Sequence, residues 1–221
     1  MDGCAVVLAG GDPVDATVLQ DLPDVALVIA ADSGLHLAEP LGLHVDRIVG
    51  DFDSADPARV DAAIAAGAVL ERHPAAKDAT DLELAIDAAA HAGASRVVVL
   101  GGGGGRIDHL LANVLLLTSS AWATLRIEGR FGGGRCVVVR GGLGAHALTG
   151  APGSLLTLLP VGGVARGIVT DGLEYPLRSE DLEAGTTRGV SNVMLGTTAS
   201  VAVDDGTLLV VQPDSGRGVI T

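Results

Sequence analysis

Two carboxylates stand one residue apart in the segment 50–54 (GDFDS), directly after a short apolar run at 47–49. The run predicts a buried strand, so Asp51 and Asp53 would lie at the carboxyl edge of a sheet, where open α/β sheets place their ligands. Close carboxylates repel each other unless a cation lies between them, and Mg²⁺ prefers carboxylate and phosphate oxygens. The segment therefore indicates a metal–phosphate site. The structural alternative is an Asx-rich loop in which Asp53 or Ser54 caps the next helix.

A second acidic segment contains the only lysine of the chain, Lys77, followed by aspartates at 78 and 81. A phosphate would be bound there by Lys77 and a helix N-terminus, and its metal by Asp81. Thr80 and Glu83 have the spacing of a capping box, which explains Thr80 without any ligand. Capping does not explain Lys77, so either it binds phosphate or it is an exposed loop residue.

Glycine-containing turns follow three other predicted strands. The glycines at 101–105 precede Arg106, whose guanidinium can bind a phosphate at two points. This run is not a dinucleotide fingerprint, because Arg106 replaces the third glycine of GxGxxG, and no Gly-Lys-Ser/Thr follows to make a Walker A loop. Gly10 and Gly11 would let the backbone approach a ligand. Asp32 could accept a hydrogen bond from a sugar or a base, or could cap a helix.

The elements that must position these residues alternate between short apolar runs and helical patterns. Strands are predicted at 4–8, 25–30, 47–49, 69–71 and 96–100. Helices are predicted at 56–66, from Thr80 onwards, and at 107–117, the last of which is expected to be largely buried against a sheet. This alternation is typical of a mostly parallel, doubly wound α/β sheet. All the candidate residues above would then lie along one edge of that sheet.

The pattern changes after Trp122. The β-type runs there are 124–128, 135–140, 154–159, 164–170, 199–203 and 207–212. The first of these runs can still close the parallel sheet, and the others predict a small all-β sandwich or barrel. We therefore expect an α/β domain over 1–129 and a β-rich domain over 130–221, with the glycines at 132–134 as the connector.

Composition limits the classes of function. A formal net charge of −13 and the absence of a basic stripe argue against a nucleic-acid partner. No apolar run reaches the length of a membrane span, and the N-terminus lacks a signal-peptide pattern, so a cytoplasmic protein without a membrane partner is expected. Cys4 and Cys136 form no metal or disulfide motif.

Five segments together resemble the thiamine pyrophosphokinase family in order and spacing. They are 50–54 (GDFDS), 77–81 (KDATD), 104–109 (GGRIDH), 172–177 (GLEYPL) and 189–192 (GVSN). The resemblance implies an N-terminal ATP-binding catalytic domain, a C-terminal β-domain that helps to bind thiamine, and a homodimer with thiamine sites between subunits. It implies transfer of diphosphate from ATP to the thiamine hydroxyl, with release of AMP.

The resemblance also implies a role for each candidate residue. Mg²⁺ would be held on the phosphates by Asp51, Asp53 and Asp81, while Lys77, Arg106 and Asp108 would arrange the triphosphate and the attacking hydroxyl. The ATP-binding set would be Gly10, Gly11, Asp32, Ser33, Gly34, Lys77, Thr80, Gly104, Gly105 and Arg106. The thiamine-binding set would be Asp108, Ser191 and Asn192.

Other functions remain as alternatives at this point. The same acidic loops would serve a diphosphokinase for another small alcohol, such as a hydroxymethylpterin. A non-catalytic sensor of thiamine diphosphate or of a nucleotide would need fewer carboxylates. A dinucleotide oxidoreductase is disfavoured by the broken glycine fingerprint. Family members often place an aromatic ring near the C-terminal end to stack on the thiamine pyrimidine, but no aromatic residue follows Tyr175 in this chain.

Overall fold

The computed structural model describes residues 3–131 and 134–213. The chain divides into two compact units, Met1–Gly132 and Gly133–Thr221. Two of the three glycines predicted as a connector, at 132 and 133, lie outside the described residues. The fold is of the mixed α/β type, with helices in the first unit and β-structure in both.

Six neighbouring strands form the sheet of the first unit, in the order β4-β3-β2-β1-β5-β6. The strands are β1 (Cys4–Ala9), β2 (Val25–Ala31), β3 (Arg47–Gly50), β4 (Val69–Arg72), β5 (Arg96–Gly101) and β6 (Arg126–Phe131). Every neighbouring pair is parallel, including β5 and β6, as the sequence predicted. All six residues of β1 are buried, which explains why its sequence is an apolar run without alternation.

Four α-helices and three short 3₁₀ helices connect these strands. They are α1 (Ala38–Leu41), α2 (Pro57–Ala65), α3 (Asp81–His91) and α4 (Ile107–Leu116), with 3₁₀ turns at Ala16–Leu19, Asp32–Leu37 and Ser120–Trp122. The side chain of Asp56 caps α2 by accepting from the Ala58 N–H, and Thr80 caps α3 by accepting from the Glu83 N–H. The predicted helix starts are therefore confirmed, and Asp56 rather than Asp53 or Ser54 is the cap of α2.

The prediction that α4 is largely buried is wrong. Ile107, Leu111 and Leu115 are 73, 56 and 56 % exposed, and none of the ten residues of α4 is buried. Leu110 and Val114, on the neighbouring face, are half-buried. Helical spacing of apolar residues reveals an apolar face, but it does not determine whether this chain itself covers that face.

The second unit is antiparallel β-structure. Its strands are β7 (Gly134–Arg140), β8 (His146–Thr149), β9 (Leu155–Asp171), β10 (Arg178–Leu182), β11 (Asn192–Val193), β12 (Thr198–Ala202) and β13 (Asp205–Pro213). β9 pairs with β10, β11, β12 and β13. The two strands predicted at 154–159 and 164–170 are thus one strand. Gly162 and Gly163, both with positive φ, let it change direction without ending.

No helix occurs within 134–213, in agreement with the sequence prediction. In the part of the chain that the structure describes, no helix is both long and apolar enough to cross a membrane.

Candidate active site

The loops after β1 to β5 line one cleft of about 620 Å³ in the first unit. These loops meet because the carboxyl ends of parallel strands share one edge of the sheet. The predicted site residues in its lining are Gly10, Gly11, Asp32, Ser33, Asp51, Lys77, Thr80, Asp81, Gly104, Gly105 and Arg106. Asp53, Asp108 and Gly34 do not line the cleft itself. The structure therefore brings together segments that are separated by almost a hundred residues in the sequence.

Two glycine loops touch each other in one wall of this cleft. The Asp12 backbone N–H donates to the carbonyl of Gly103 at 2.8 Å. Gly11 has a φ of 132°, and a Cβ at this position would lie 2.1 Å from the same carbonyl oxygen. The Asn113 side-chain amide also donates to the Gly102 carbonyl. The glycine loop at 102–105 is therefore held by hydrogen bonds from Asp12 on one side and Asn113 on the other. Only glycine at position 11 permits this close approach of the two backbones.

Gly34 has a structural role in this arrangement. A Cβ at Gly34 would lie 2.1 Å from the carbonyl oxygen of Leu8 in β1. The glycine thus lets the 3₁₀ helix Asp32–Leu37 pass directly over the central strand. The resemblance placed Gly34 in the ATP-binding set, and Gly34 is not one of the residues that line the cleft.

Asp32, Asp51 and Asp53 form a group whose carboxylate oxygens lie within 4.8 Å of one another. Asp32 is only 5 % exposed; its Oδ2 accepts from the Ser54 hydroxyl, and its Oδ1 has no hydrogen-bond partner among the described residues. A buried carboxylate oxygen without a partner is costly unless a cation compensates it. Three oxygen donors at this spacing fit a hard divalent cation such as Mg²⁺.

The membership of this acidic group differs from the set that the resemblance implied for the metal. Asp32 belongs to the group, although the sequence assigned it to the nucleotide. Asp81 contributes its Oδ1 to Lys77 instead, at 2.6 Å. Asp81 nevertheless lies close to Asp32, because both side chains border Gly50. A Cβ built on Gly50 would be 3.0 Å from the Asp32 Cβ and 3.2 Å from the Asp81 Oδ1. No local signal in the sequence links Asp32 to Asp51, since their proximity depends on β2 pairing with β3.

Lys77 lies between two carboxylates. Its Nζ donates to Asp81 Oδ1 at 2.6 Å and to Asp51 Oδ2 at 3.3 Å. Burial acts to lower the pKa of Lys77, but the hydrogen bonds to Asp81 and Asp51 outweigh it, so the pKa lies above its usual value. The pKa of Asp51 is lowered, chiefly by the hydrogen bond from the Asp53 backbone N–H and also by the hydrogen bond from Lys77. Both groups are therefore charged at neutral pH.

Arg106 and Asp108 form a two-point ion pair at the start of α4. The Arg106 Nε and Nη2 donate to the two carboxylate oxygens of Asp108 at 2.8 and 2.5 Å. These hydrogen bonds lower the pKa of Asp108 and raise the pKa of Arg106. Both side chains are exposed, so this pair costs little to rearrange. The Nη1 of Arg106 makes neither of these bonds, so its N–H groups can donate to a phosphate.

Ser191 and Asn192, the predicted thiamine ligands, lie in the second unit. The buried Asn192 amide accepts from the Tyr175 N–H at 3.0 Å and donates to the Tyr175 carbonyl at 2.8 Å. Ser191 is exposed, has a φ of 60°, and donates its N–H to the Thr157 hydroxyl. Asn192 therefore holds the loop that carries Tyr175.

Tyr175, which this loop carries, is not among the residues predicted for the site. It is 62 % exposed and is the only aromatic residue between positions 146 and 208. Tyr175 lies in the GLEYPL segment, one of the five segments that resemble the family.

The parallel sheet, the glycine-walled cleft and the acidic group define an α/β protein with a cleft suited to a metal-bound phosphate ligand. Comparison with known proteins assigns the family. The model of the thiamin pyrophosphokinase catalytic domain matches residues 19–128, and the model of the thiamin pyrophosphokinase vitamin B1 binding domain matches residues 146–208. The chain belongs to the thiamine pyrophosphokinase family.

Individual relatives agree with this assignment. The chain is 24 % identical to the thiamine pyrophosphokinase of Bacillus subtilis over 196 residues, which cover 84 % of this chain and 86 % of the relative. The fold is similar to the crystal structure of thiamine pyrophosphokinase from Bacillus subtilis, with a TM-score of 0.80, 22 % identity and coverage of 95 % and 98 % of the two chains. For the Geobacillus thermodenitrificans structure the TM-score is 0.78 at 24 % identity, covering 96 % and 98 %.

Proposed function

We propose that this protein transfers diphosphate from ATP to the hydroxyl of thiamine, giving thiamine diphosphate and AMP. The observation that carries the proposal is the meeting of an acidic group, a lysine and two glycine loops in one cleft of a chain that matches both domains of the family. Phosphoryl-type transfer needs chiefly positioning and charge neutralisation, and these residue types supply both.

The acidic group is the proposed site of Mg²⁺. Asp51 and Asp53 would hold the ion, Asp32 supplies an oxygen without a partner in the same group, and Asp81 is the further ligand implied by the family. When bound, the metal supplies neutralisation of charge on the polyphosphate. The chain's own part is to hold these oxygens fixed: the Asp53 N–H fixes Asp51, and the Ser54 hydroxyl fixes Asp32.

The remaining residues of the cleft would bind and orient the substrates. The backbone around Gly11 and Gly104 would lie against the triphosphate, with Lys77 and Arg106 as donors to it. The thiamine hydroxyl oxygen would bond to the β-phosphorus while the bond from that phosphorus to the oxygen bridging to the α-phosphate breaks. The hydroxyl proton would pass to a carboxylate of the cleft. Asp108, whose pKa is lowered by Arg106, is better suited to orienting the hydroxyl than to keeping its proton.

Formation of AMP from MgATP, with thiamine present or absent, tests the proposed function. We expect thiamine-dependent AMP and an equal amount of thiamine diphosphate, both measured by chromatography. A hydroxymethylpterin in place of thiamine should give no AMP above the acceptor-free control. AMP formed only with the pterin would assign the protein to the alternative alcohol, and tight thiamine diphosphate binding without any AMP would show a sensor.

A substitution at Tyr175 tests its role as the aromatic surface for thiamine. The face of a tyrosine ring attracts cations, and thiamine carries a positively charged ring, so we expect Tyr175→Leu to raise the KM for thiamine about tenfold, or ~1.4 kcal/mol. The KM for ATP should stay within about twofold. Tyr175→Phe, which keeps the ring, is the matched control and should resemble the wild type. An unchanged thiamine KM in the leucine variant would remove Tyr175 from the site.

Several finer features belong to the same proposal. We propose a doubly wound sheet over 1–129 and a sandwich or barrel over 130–221. β9 supports a sandwich or barrel because it pairs with β13 along its first half and with β10 and β12 along its second half.

A homodimer is proposed, and the exposed apolar residues of α4 support a partner surface. A cytoplasmic location is proposed because both cysteines are free.

A further inference from the structure

The ammonium of Lys77 lies against carboxylates that the proposed function gives to a metal ion. Its Nζ is within hydrogen-bond distance of both Asp51 Oδ2 and Asp81 Oδ1, and all three side chains are partly buried. The other oxygen of Asp51 accepts from the Asp53 N–H at 3.1 Å. Both oxygens of Asp51 are thus already engaged within the chain itself.

A divalent cation bound to Asp51 would meet this ammonium at close range. Like charges a few ångströms apart repel strongly in a partly buried site, where water screens them weakly. The acidic group places Asp51, Asp32 and Asp53 within 4.8 Å of one another, so a cation held there takes an oxygen of the carboxylate that Lys77 binds. The metal and Lys77 therefore compete for Asp51.

Lysine is suited to such an exchange of partners. Its charge is compact and lies on a flexible four-carbon stem, whereas an arginine fork binds a carboxylate at two points and is less easily released. Thr80 and the start of α3, which follow Lys77 within four residues, line the same cleft as the glycine loops. A phosphate bound in the cleft would offer Lys77 a new anionic partner within reach of its side chain.

We propose that Lys77 is an internal counter-ion that occupies the acidic site in the metal-free protein and leaves Asp51 when a metal–polyphosphate ligand binds. The inference rests on the proposed function, because it takes the ligand to be a metal-bound polyphosphate. Two consequences follow. The metal alone binds weakly because it must displace Lys77 without giving it a new partner. The metal with a polyphosphate binds more tightly because Lys77 then pairs with the phosphate, so the two ligands favour each other's binding.

The test is the affinity of the nucleotide-free protein for Mn²⁺, measured from the free-ion signal by electron paramagnetic resonance. Lys77→Met keeps the stem and removes the charge, and we expect it to bind Mn²⁺ at least about tenfold more tightly than the wild type. The same variant should bind the Mn²⁺ complex of a non-hydrolysable ATP analogue at least about tenfold more weakly. Unchanged or weaker binding of Mn²⁺ alone would overturn the proposal.

Arg72→Met is the matched control for a general effect of charge. Its guanidinium donates to the backbone carbonyl of Asp51 at 2.9 Å and to no carboxylate of the acidic group among the bonds described. Removal of this equal charge should tighten Mn²⁺ binding by less than about threefold. If Arg72→Met tightened binding as much as Lys77→Met, simple electrostatics would explain the result and the displacement of Lys77 would be wrong.

A second measurement on the wild type covers the case in which Lys77→Met does not fold. Lys77 is the only lysine, so acylation of its amine can be followed by mass spectrometry without interference from other lysines. Mg²⁺ alone should speed this acylation at least about threefold by releasing the amine from its carboxylates, and Mg²⁺ with the ATP analogue should slow it by pairing the amine with a phosphate. An acylation rate that Mg²⁺ does not change would contradict the proposal.

The outcomes separate this inference from the proposed function. If the wild type forms AMP with thiamine but the Lys77 variant gains no affinity for Mn²⁺, the proposed activity stands and the counter-ion role of Lys77 is wrong. If the wild type neither forms AMP nor binds Mn²⁺ with the ATP analogue, both the proposed activity and the counter-ion role are wrong.

Discussion

Asp51→Asn and Asp53→Asn are each expected to lower kcat by at least about a hundredfold, or ~2.7 kcal/mol, without unfolding the protein. Each substitution removes a negative charge from the acidic group without changing the side-chain volume. For Asp51 it also removes the charge that Lys77 pairs with. The measurement is the rate of thiamine-dependent AMP formation at saturating Mg²⁺, with circular dichroism as the check on folding.

Asp56→Asn is the matched control for these variants. Asp56 lies in the same loop and is exposed, but it serves as the N-cap of α2 and does not belong to the acidic group. Because asparagine caps helices about as well as aspartate, kcat should change by less than about twofold. The free energy of unfolding should stay within about 0.5 kcal/mol of the wild type. Near wild-type rates in both the Asp51 and the Asp53 variant would show that the acidic group does not hold the metal.

Gly34→Ala should lower the free energy of unfolding by about 2–4 kcal/mol. The new Cβ would lie 2.1 Å from the carbonyl oxygen and 2.6 Å from the carbonyl carbon of Leu8. Leu8 belongs to β1, whose residues are all buried and whose neighbours on both sides are paired strands, so its backbone has little room to move. Unfolding in urea, followed by circular dichroism, measures the change.

Gly105→Ala is the control for the loss of a glycine. No heavy atom would lie within 4 Å of its Cβ, and its φ is outside the positive range. The variant should therefore stay within about 0.5 kcal/mol of the wild type. Equal stability of the two alanine variants would mean that the 3₁₀ helix Asp32–Leu37 can shift away from β1 at little cost.

Local features of this fold were predictable from the sequence. The starts of α2 and α3 depend on Asp56 and Thr80 binding N–H groups two or three residues further on, so the whole interaction lies within one short segment. The central strands β1 and β5 are almost continuous apolar runs because both faces of a central parallel strand are buried. The family resemblance also depended on short segments, each of which keeps its residues in order.

The composition of the acidic group was not predictable in this way. Asp51 and Asp53 are neighbours in the chain, and their chemistry was visible at once. Asp32 joins them only because β2 pairs with β3, and Lys77 reaches Asp51 across 26 positions. Such contacts depend on the pairing order of strands, which spacing along the chain does not contain.

Four properties could be predicted from residue types along the chain: the parallel α/β first half, the helix starts, the family, and the oxygen-rich chemistry of the loops that follow the strands. These properties depend on residue type and short-range spacing. The folded structure was needed to show that Asp32 joins the acidic group, that Gly34 packs against β1, that Asn192 holds the Tyr175 loop and that the apolar face of α4 is exposed. Each of these depends on which distant segment lies opposite a residue, and burial and pairing of that kind are properties of the folded chain as a whole.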